Sequence, residues 1–244
     1  MDKISLVKRE IQNSKYLVCL QGIGTSLECG CKGYRDRNKA YEIEEKYGYS
    51  PEEMFNASFY NTRIEQFYDY FKSDMIGELG EVGPGIRALK QMEDKGYLQA
   101  IVTREQYHLA VRAGCKNVEE LHGNLYHYFC PRCHKEYTID YIKQSKGVPL
   151  CEKCRVPVRP GVRLVGEMID NSVLTRAASY VSRADVLLIV GCNMVDNLAS
   201  MVKYFTGNKV ILIHEKEHYS DGRADIVIHG KPSEVLPQIV PCEQ

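Results

Sequence analysis

The sequence predicts an α/β fold, in which a doubly wound, Rossmann-like parallel sheet carries a small inserted module. Two observations favour this fold. Short apolar runs rich in β-branched residues alternate with helical patterns, as parallel sheets with helices on both faces require. In one stretch, 126–160, the alternation stops and Gly, Pro, polar residues and four cysteines replace it. We therefore expect a large domain of residues 1–125 and 161–244 and a small module at 126–160.

The predicted strands and helices follow one another along the chain. The strands have few polar positions, which is typical of strands buried on both faces. They are Tyr16–Leu20, Leu98–Thr103, Asp185–Val190, Lys209–His214 and Asp225–His229. Helical patterns cover Pro51–Met75, Pro84–Lys95, Asn171–Ser182 and Met194–Phe205. Ser50 is a candidate N-cap for the first helix, because Glu53 follows it three residues later.

Composition limits the classes of function. The chain has 244 residues, of which 44% are hydrophobic and 26% charged, and such a chain can bury a core. Lys plus Arg (32) equals Asp plus Glu (32), so no net field would draw the protein to nucleic acid or an anionic membrane. The first residues lack a secretion signal, and no apolar run approaches the roughly 20 residues that span a bilayer. We expect a soluble cytoplasmic protein with no nucleic-acid or membrane partner.

Four of the ten cysteines have the spacing of a zinc site. Cys130 and Cys133 form one CxxC pair and Cys151 and Cys154 another, with 17 residues between the pairs. Four thiolates complete a tetrahedral shell and leave no position for water, so the zinc would be structural. The alternatives are ordinary core cysteines or two redox pairs. His127 and His134 flank the pairs and could compete as ligands, and the remaining six cysteines (Cys19, Cys29, Cys31, Cys115, Cys192 and Cys242) are interpreted as core or incidental.

Two predicted strands end in glycine turns. Gln21-Gly22-Ile23-Gly24-Thr25-Ser26 follows the first strand, and Gly191-Cys192-Asn193 follows the third and leads into a predicted helix. A glycine turn between a strand and a helix exposes backbone N–H groups that hold dinucleotide phosphates. Glu215, 24 residues after Gly191, could accept a hydrogen bond from a ribose hydroxyl. The alternatives are glycines that only turn the chain and a surface glutamate.

One histidine is a candidate general base. His122 precedes Gly123 and follows soon after the Leu98–Thr103 strand. The pKa of an unperturbed imidazole, about 6.5, suits proton transfer at neutral pH, and the glycine would let a substrate approach closely. The alternative is a structural histidine.

In their order and spacing, these motifs resemble the sirtuins, the NAD-dependent protein deacylases, over nearly the whole chain. In that family a large sheet domain binds NAD, a small zinc module braces the cleft and an acyl-lysine enters between them. The segments that carry the resemblance are Gly22-Ile23-Gly24-Thr25-Ser26 with Gly30 and Tyr34-Arg35, Arg112-Ala113-Gly114, Leu121-His122-Gly123, the two CxxC pairs, Arg159-Pro160, Gly166-Glu167, Gly191 and Ile213.

The resemblance implies a role for each matching residue. His122 would be the base, and Arg35 would help to order NAD. Tyr34 takes the place of a family Phe, His214 that of an adenosine-contacting Asn, and Glu215 follows it. The two nucleotide turns would consist of Gly22, Ile23, Gly24, Ser26, Gly191, Cys192 and Asn193.

The departures from the family fall at the nicotinamide pocket. The family's Thr-Gln-Asn-Ile-Asp segment is here Thr103-Arg104-Glu105-Gln106-Tyr107, so its Asn and Asp are missing, and Gly33 replaces a second Asp. Arg104 remains a candidate cofactor contact, and Glu105 is a candidate electrostatic substitute unless it is a surface residue of the following helix. The resemblance implies protein deacylation, with ADP-ribosyl transfer or NAD hydrolysis as variants. The alternative is a non-catalytic sensor of NAD or ADP-ribose.

Overall fold

The structure is a computed structural model that describes residues 2–31, 37–77 and 79–241. The strands are β1 (Leu17–Gln21), β2 (Leu98–Thr103), β3 (Val118–Glu120), β4 (Tyr128–Phe129), β5 (Glu136–Tyr137), β6 (Arg159–Pro160), β7 (Val186–Val190), β8 (Lys209–His214) and β9 (Ile226–His229). The α-helices are α1 (Lys3–Asn13), α2 (Gly24–Glu28), α3 (Arg37–Tyr47), α4 (Pro51–Met54), α5 (Ala57–Thr62), α6 (Ile64–Tyr70), α7 (Pro84–Asp94), α8 (Leu109–Arg112), α9 (Ile139–Gln144), α10 (Asn171–Arg183) and α11 (Pro232–Ile239). A π-helical turn covers Phe71–Met75, and 3-10 turns cover Ala199–Tyr204 and Asp221–Arg223.

The six-stranded sheet has the order β3-β2-β1-β7-β8-β9, and all its neighbouring strands are parallel. Every residue of β1 and β7 is buried, as the apolar runs predict. The chain winds outward from β1 in one direction and from β7 in the other, so the strand order reverses between these two strands. This confirms the doubly wound α/β fold, and such a switch point is where open α/β sheets bind ligands.

The described residues divide into two compact units. The sheet unit takes in residues 1–29, 81–121 and 170–244, and the small unit takes in 30–80 and 122–169. The core of the sheet unit packs helices on the sheet. Its buried members include Val7, Ile11, Leu89, Met92, Leu236 and Ile239 from the helices and Leu17, Cys19, Ile101, Leu188 and Ile211 from the strands.

The small unit is larger than the module predicted at 126–160, because helices α3 to α6 belong to it. Aromatic side chains explain this grouping. The ring of Phe71 lies edge-on to that of Tyr128 at 6.3 Å, and the hydroxyl of Tyr68 donates to the carbonyl of Val158. The sequence pattern of these helices does not reveal that their apolar faces pack on the cysteine-bearing segment.

The predicted helix over Pro51–Met75 is broken into α4, α5, α6 and the π-helical turn. The first break arises because the backbone pairs elsewhere: the N–H of Val165 donates to the carbonyl of Phe55 (2.9 Å), and the N–H of Ala57 donates to the carbonyl of Val165 (3.0 Å). Asn56 then restarts the helix, since its side chain accepts from the N–H of Ser58 at 2.8 Å. The capping box of Ser50 and Glu53 is present as predicted.

The predicted helix over Met194–Phe205 is wrong for its first turns. Only Ala199–Tyr204 is helical, and it is a 3-10 turn. The side chains of Asn193 and Asp196 accept from the N–H groups of Val195 (3.1 Å) and Leu198 (2.8 Å), so they close local turns in place of an α-helix.

The remaining predicted elements lie within two residues of their observed bounds. Strand β3 was not predicted, because it consists of one Val and two Glu and has no apolar run, and helices α1 and α11 were not predicted either. Among the described residues, no helix combines the length and apolar character needed to cross a membrane.

Candidate functional site

The two glycine turns lie side by side, because they follow the adjacent strands β1 and β7. The N–H of Gly22 donates to the carbonyl of Val190 (2.7 Å), and the N–H of Gly24 donates to the carbonyl of Gly191 (2.8 Å). These two N–H groups therefore join the turns to each other. A Cβ at Gly22 would lie 2.6 Å from Cβ of Cys192, and one at Gly24 would lie 2.7 Å from the carbonyl oxygen of Gly191. Both positions require glycine for this close packing.

The third glycine of these turns, Gly191, is also required, for two reasons. Its φ of +69° lies in the left-handed region, and an added Cβ would lie 2.8 Å from the backbone nitrogen of Thr25. Cys192 packs against Gly22 and is 9% exposed, and burial raises the pKa of its thiol to about 12. Asn193 closes the turn to Val195, so no α-helix begins directly after this second turn.

The first turn leaves two buried polar atoms without a partner. Oγ of Ser26 and Oε1 of Gln21 make no hydrogen bond with any described residue. Their neighbours are paired: Nε2 of Gln21 donates to Oγ1 of Thr25 (3.1 Å), and that hydroxyl donates to the carbonyl of Gly22 (2.8 Å). An unsatisfied buried polar atom costs about 1 to 3 kcal/mol. A polar ligand at this turn would remove that cost, so these residues fit a dinucleotide. Ile23, which lies between them in sequence, is 44% exposed.

Arg104 and Glu105, in the loop after β2, both have partners. Arg104 forms an ion pair with Asp196, with Nη1 2.8 Å from Oδ1. Glu105 is 1% exposed, and its two oxygens accept from the N–H groups of Tyr107 (2.6 Å) and Leu109 (2.9 Å). The interpretation of Glu105 as a surface residue is therefore wrong. Its carboxylate caps α8, the short helix that follows this loop.

Burial dominates the ionisation of Glu105. It raises the pKa of this carboxyl from 4.5 to about 7, although the two backbone N–H groups oppose the shift. The nearby carboxylate of Glu120 raises the pKa further. Oε1 of Glu120 lies 2.6 Å from Nδ1 of His108. His108 has a left-handed backbone, with a φ of +60°.

His122 and Gly123 belong to the small unit. The carbonyl of His122 accepts from the N–H of Arg163 at 2.8 Å. Gly123 has a φ of +63°, and an added Cβ would lie 2.0 Å from the carbonyl oxygen of Gly161. The position of a Cβ at this glycine is thus filled by backbone, while the expectation that Gly123 lets a substrate approach closely stays a prediction. Gly123 is required for packing.

His214 and Glu215 stand where β8 ends. His214 is 7% exposed, and its Nε2 lies 3.0 Å from Oδ1 of Asp221. Glu215 is exposed. Tyr34 and Arg35, together with the Gly33 substitution, lie outside the described residues.

Several polar residues of the sheet unit were not predicted from the sequence. Gln21 carried a signal, since it is a polar residue at the end of an apolar strand. Asp196 was hidden in a predicted helix, although it pairs with Arg104. Asp221 and His229 meet His214 only because β8 and β9 are neighbours.

The four cysteines form one cluster in the small unit. Their Sγ atoms all lie within 4.8 Å of one another, and those of Cys133 and Cys151 are 3.7 Å apart. Zn–S bonds of about 2.3 Å place tetrahedral sulfur atoms about 3.8 Å apart, so the cluster fits zinc. His127 and His134 are not members of it.

The two CxxC turns have matching backbones. The N–H of His134 donates to the carbonyl of Cys130, and that of Arg155 donates to the carbonyl of Cys151, both at 2.9 Å. His134 and Arg155 also share a left-handed φ, of +58° and +57°. The hydroxyl of Tyr137 lies 3.1 Å from Sγ of Cys151 and is the main cause that lowers the pKa of this thiol to about 6, which favours the thiolate that binds zinc.

Comparison with known proteins gives consistent matches. The Sir2 family matches residues 22–196. A protein of Clostridium acetobutylicum named NAD-dependent protein deacetylase is 33% identical over 242 residues, covering 98% of this chain and 99% of the relative. A solved Sir2 homologue mutant in complex with 2'-O-acetyl ADP ribose is 30% identical, with a TM-score of 0.83, covering 98% of this chain and 95% of that one. A Sir2 structure bound to acetylated peptide is 27% identical, with a TM-score of 0.81, covering 98% and 97%.

Proposed function

The chain belongs to the Sir2 family, and from this premise we propose that it is an NAD-dependent protein-lysine deacylase. In the proposed reaction NAD, an acyl-lysine and water give nicotinamide, lysine and O-acyl-ADP-ribose. The glycosidic bond to nicotinamide and the amide bond of the acyl-lysine break, and the acyl group forms an ester with a ribose hydroxyl. In the net reaction, water supplies the hydroxyl at the anomeric carbon that nicotinamide leaves, and the lysine nitrogen takes up the released protons. The product bound in the Sir2 homologue mutant, 2'-O-acetyl ADP ribose, is of this class.

The observation that carries the proposal is the unsatisfied Ser26 at the switch point of the sheet. Its buried hydroxyl lies in a turn that only glycines can form, beside a second glycine turn. A phosphate oxygen of NAD would give this hydroxyl the partner it lacks, and backbone that approaches closely suits a diphosphate.

We assign the nucleotide contacts accordingly. The two glycine turns, with Gly22, Ile23, Gly24, Ser26, Gly191, Cys192 and Asn193, would hold the diphosphate. His214 and Glu215 would contact the adenosine end, since β8 ends at the same edge of the sheet. Tyr34 and Arg35 would order NAD, as the family resemblance implies. Arg104 would contribute positive charge, while its ion pair with Asp196 holds it to the segment that follows the second turn.

We propose His122 as the general base. A neutral imidazole can take a proton from a ribose hydroxyl, which is the step that lets the acyl group move from the lysine nitrogen to the ribose. General bases of this kind contribute about 10² to 10⁴ in rate.

Glu105 is better described as a positioning residue than as a catalytic one. Both of its oxygens accept backbone N–H groups of its own loop, and it is 1% exposed. Through these bonds it would fix the loop that carries Arg104. The zinc of the four-cysteine cluster would be structural, because four thiolates leave no open position for a substrate.

The test follows nicotinamide release from NAD with and without an acetyl-lysine peptide. Release that depends on the peptide, with formation of O-acetyl-ADP-ribose, supports deacylation. Release without peptide would instead indicate NAD hydrolysis or self-modification. Binding of NAD with no release at all would favour a non-catalytic sensor.

His122→Ala tests the base. We expect peptide-dependent release to fall about 100-fold or more while NAD affinity stays within several-fold. His127→Ala is the matched control, since His127 belongs to the same unit, is partly exposed and lies outside the cysteine cluster. Equal rates in His122→Ala and the parent protein would remove His122 from the mechanism.

We further propose that the protein acts in the cytoplasm. A reducing compartment keeps the thiols of the cluster available for zinc, and the described cysteines are all free of disulfides.

A further inference from the structure

Two histidines and one aspartate converge at the carboxyl end of the sheet, outside the cysteine cluster. His214 is the last residue of β8 and His229 the last residue of β9, and the two are paired in the parallel register. Asp221 lies between them in sequence, at the start of a 3-10 turn. One ligand atom from each of the three residues lies within 4.8 Å of the others.

The contacts within this cluster leave ligand atoms unused. Nε2 of His214 and Oδ1 of Asp221 are 3.0 Å apart, but their orientation does not form a hydrogen bond. Each of these atoms is buried and makes no hydrogen bond within the part of the chain that the structure describes. Such a close approach without a hydrogen bond leaves two buried polar atoms that a shared cation would satisfy.

The third residue completes the arrangement. Nε2 of His229 lies 2.9 Å from Oδ2 of Asp221, and the two imidazole rings lie 5.5 Å apart at 66° to each other. The side chain of His229 is 32% exposed, so an ion can reach the cluster from solvent, whereas His214 is buried.

The two carboxylate oxygens of Asp221 differ in their contacts. The N–H of His218 donates to Oδ2 of Asp221 at 2.9 Å. This bond holds Oδ2, whereas Oδ1 of the same carboxylate makes no hydrogen bond with any described residue.

We propose that His214, Asp221 and His229 bind a divalent transition-metal ion. Two imidazole nitrogens and one carboxylate oxygen suit Zn²⁺ and its neighbours in the first transition series, whereas Mg²⁺ and Ca²⁺ prefer oxygen ligands alone. Three protein ligands leave coordination positions open, in contrast to a cluster of four thiolates. The site lies wholly in the sheet unit. It shares His214 with the adenosine end of the proposed NAD site, but it consists of the chain's own side chains and forms without nucleotide or deacylation.

The experiment titrates Co²⁺ alone into the full-length protein after its cysteine cluster has been loaded with one equivalent of Zn²⁺. We expect one further equivalent to bind, with visible absorption of nitrogen and oxygen coordination and without thiolate-to-metal charge transfer. No nucleotide is present, so the result is independent of NAD binding. Absence of a second equivalent would overturn the proposal.

Variants identify the ligands. His229→Ala and Asp221→Asn should weaken Co²⁺ binding about 100-fold or more. His229 is partly exposed, so its variant should fold even if the buried His214→Ala does not. His218→Ala is the control, because its ring contacts Oγ of Ser220 at 2.7 Å and is not part of the cluster. Co²⁺ affinity that is unchanged in His229→Ala and Asp221→Asn, or reduced equally in His218→Ala, would overturn the assignment.

Discussion

The cysteine cluster and the glycine turns differ in how completely their polar atoms are satisfied. In the cluster, four sulfur atoms converge on one point, and backbone N–H groups support them: the N–H of Arg132 lies 3.4 Å from Sγ of Cys130, and the N–H of Cys154 lies 3.4 Å from Sγ of Cys151. In the first glycine turn, two buried polar atoms lack a hydrogen bond among the described residues.

This difference separates a site for stability from a site for a ligand. A cluster that needs only a metal to be complete can support folding but has no open position for a substrate. A turn that keeps Ser26 and Gln21 unsatisfied is held in place by the rest of the fold, and its cost is recovered when a polar ligand binds.

Cys130→Ser should have the largest effect. Losing one thiolate opens the metal shell, and structural zinc contributes about 10 kcal/mol or more to the folding of small zinc domains. We expect loss of zinc and a lower melting temperature, measured by metal analysis and thermal unfolding. Cys115→Ser is the control, because Cys115 is buried in the sheet unit and outside the cluster. Full zinc content in Cys130→Ser would contradict the assignment.

Gly24→Ala should disrupt the packing of the two glycine turns. The new methyl group would lie 2.7 Å from the carbonyl oxygen of Gly191, which is backbone and cannot rotate away. We expect a loss of about 3 kcal/mol in the free energy of unfolding and of measurable NAD binding. Gly222→Ala is the matched control, since its Cβ would have no neighbour within 4 Å. Urea unfolding and calorimetry check both variants, and parent-like NAD affinity in Gly24→Ala would argue against the proposed site.

Glu105→Gln should change how stability depends on pH. Because the pKa of Glu105 is raised from 4.5 to about 7, its contribution is fully present below pH 4.5 and is lost as the pH rises through 7. From pH 5.5 to pH 8 this loss is about 2 kcal/mol in the parent protein, and the glutamine, which cannot ionise, should remove it.

Urea unfolding at both pH values measures this difference for Glu105→Gln. Asp185→Asn is the control, because the pKa of Asp185 is shifted in the opposite direction, below its usual 3.8. Asp185 therefore does not titrate between these two pH values. The same change with pH in Glu105→Gln as in the parent protein would show that Glu105 is ionised throughout.

Ser26→Ala should have the smallest effect on stability and the most specific effect on binding. Removing an unsatisfied hydroxyl should leave the free energy of unfolding unchanged or slightly higher, while NAD affinity falls about 10-fold. Thr25→Val, in contrast, should lower the free energy of unfolding of the free protein by about 1 kcal/mol, because the hydroxyl of Thr25 donates to the carbonyl of Gly22. Equal loss of stability in both variants would mean that Ser26 is already satisfied without a ligand.

Local patterns explain most of what could be predicted. The apolar runs of β1, β2, β7, β8 and β9 and the spacing of the cysteines depend on neighbours in sequence. The failures arose where backbone or side chains make specific hydrogen bonds that no apolar period reveals, with distant residues in one case and with nearby ones in others. Val165 interrupts the predicted helix at Phe55, and Glu105, which could be assigned to the surface, is buried under the N–H groups of its own loop.

The sequence by itself determined the parallel sheet, the zinc cluster, the family and the presence of two glycine turns. Only the tertiary structure decided that these turns pack against each other, that Gly123 faces the carbonyl of Gly161 and that His214 and His229 share one cluster with Asp221. The physical reason is that periodicity and CxxC spacing act within a few residues, whereas these contacts depend on which strands the topology makes neighbours.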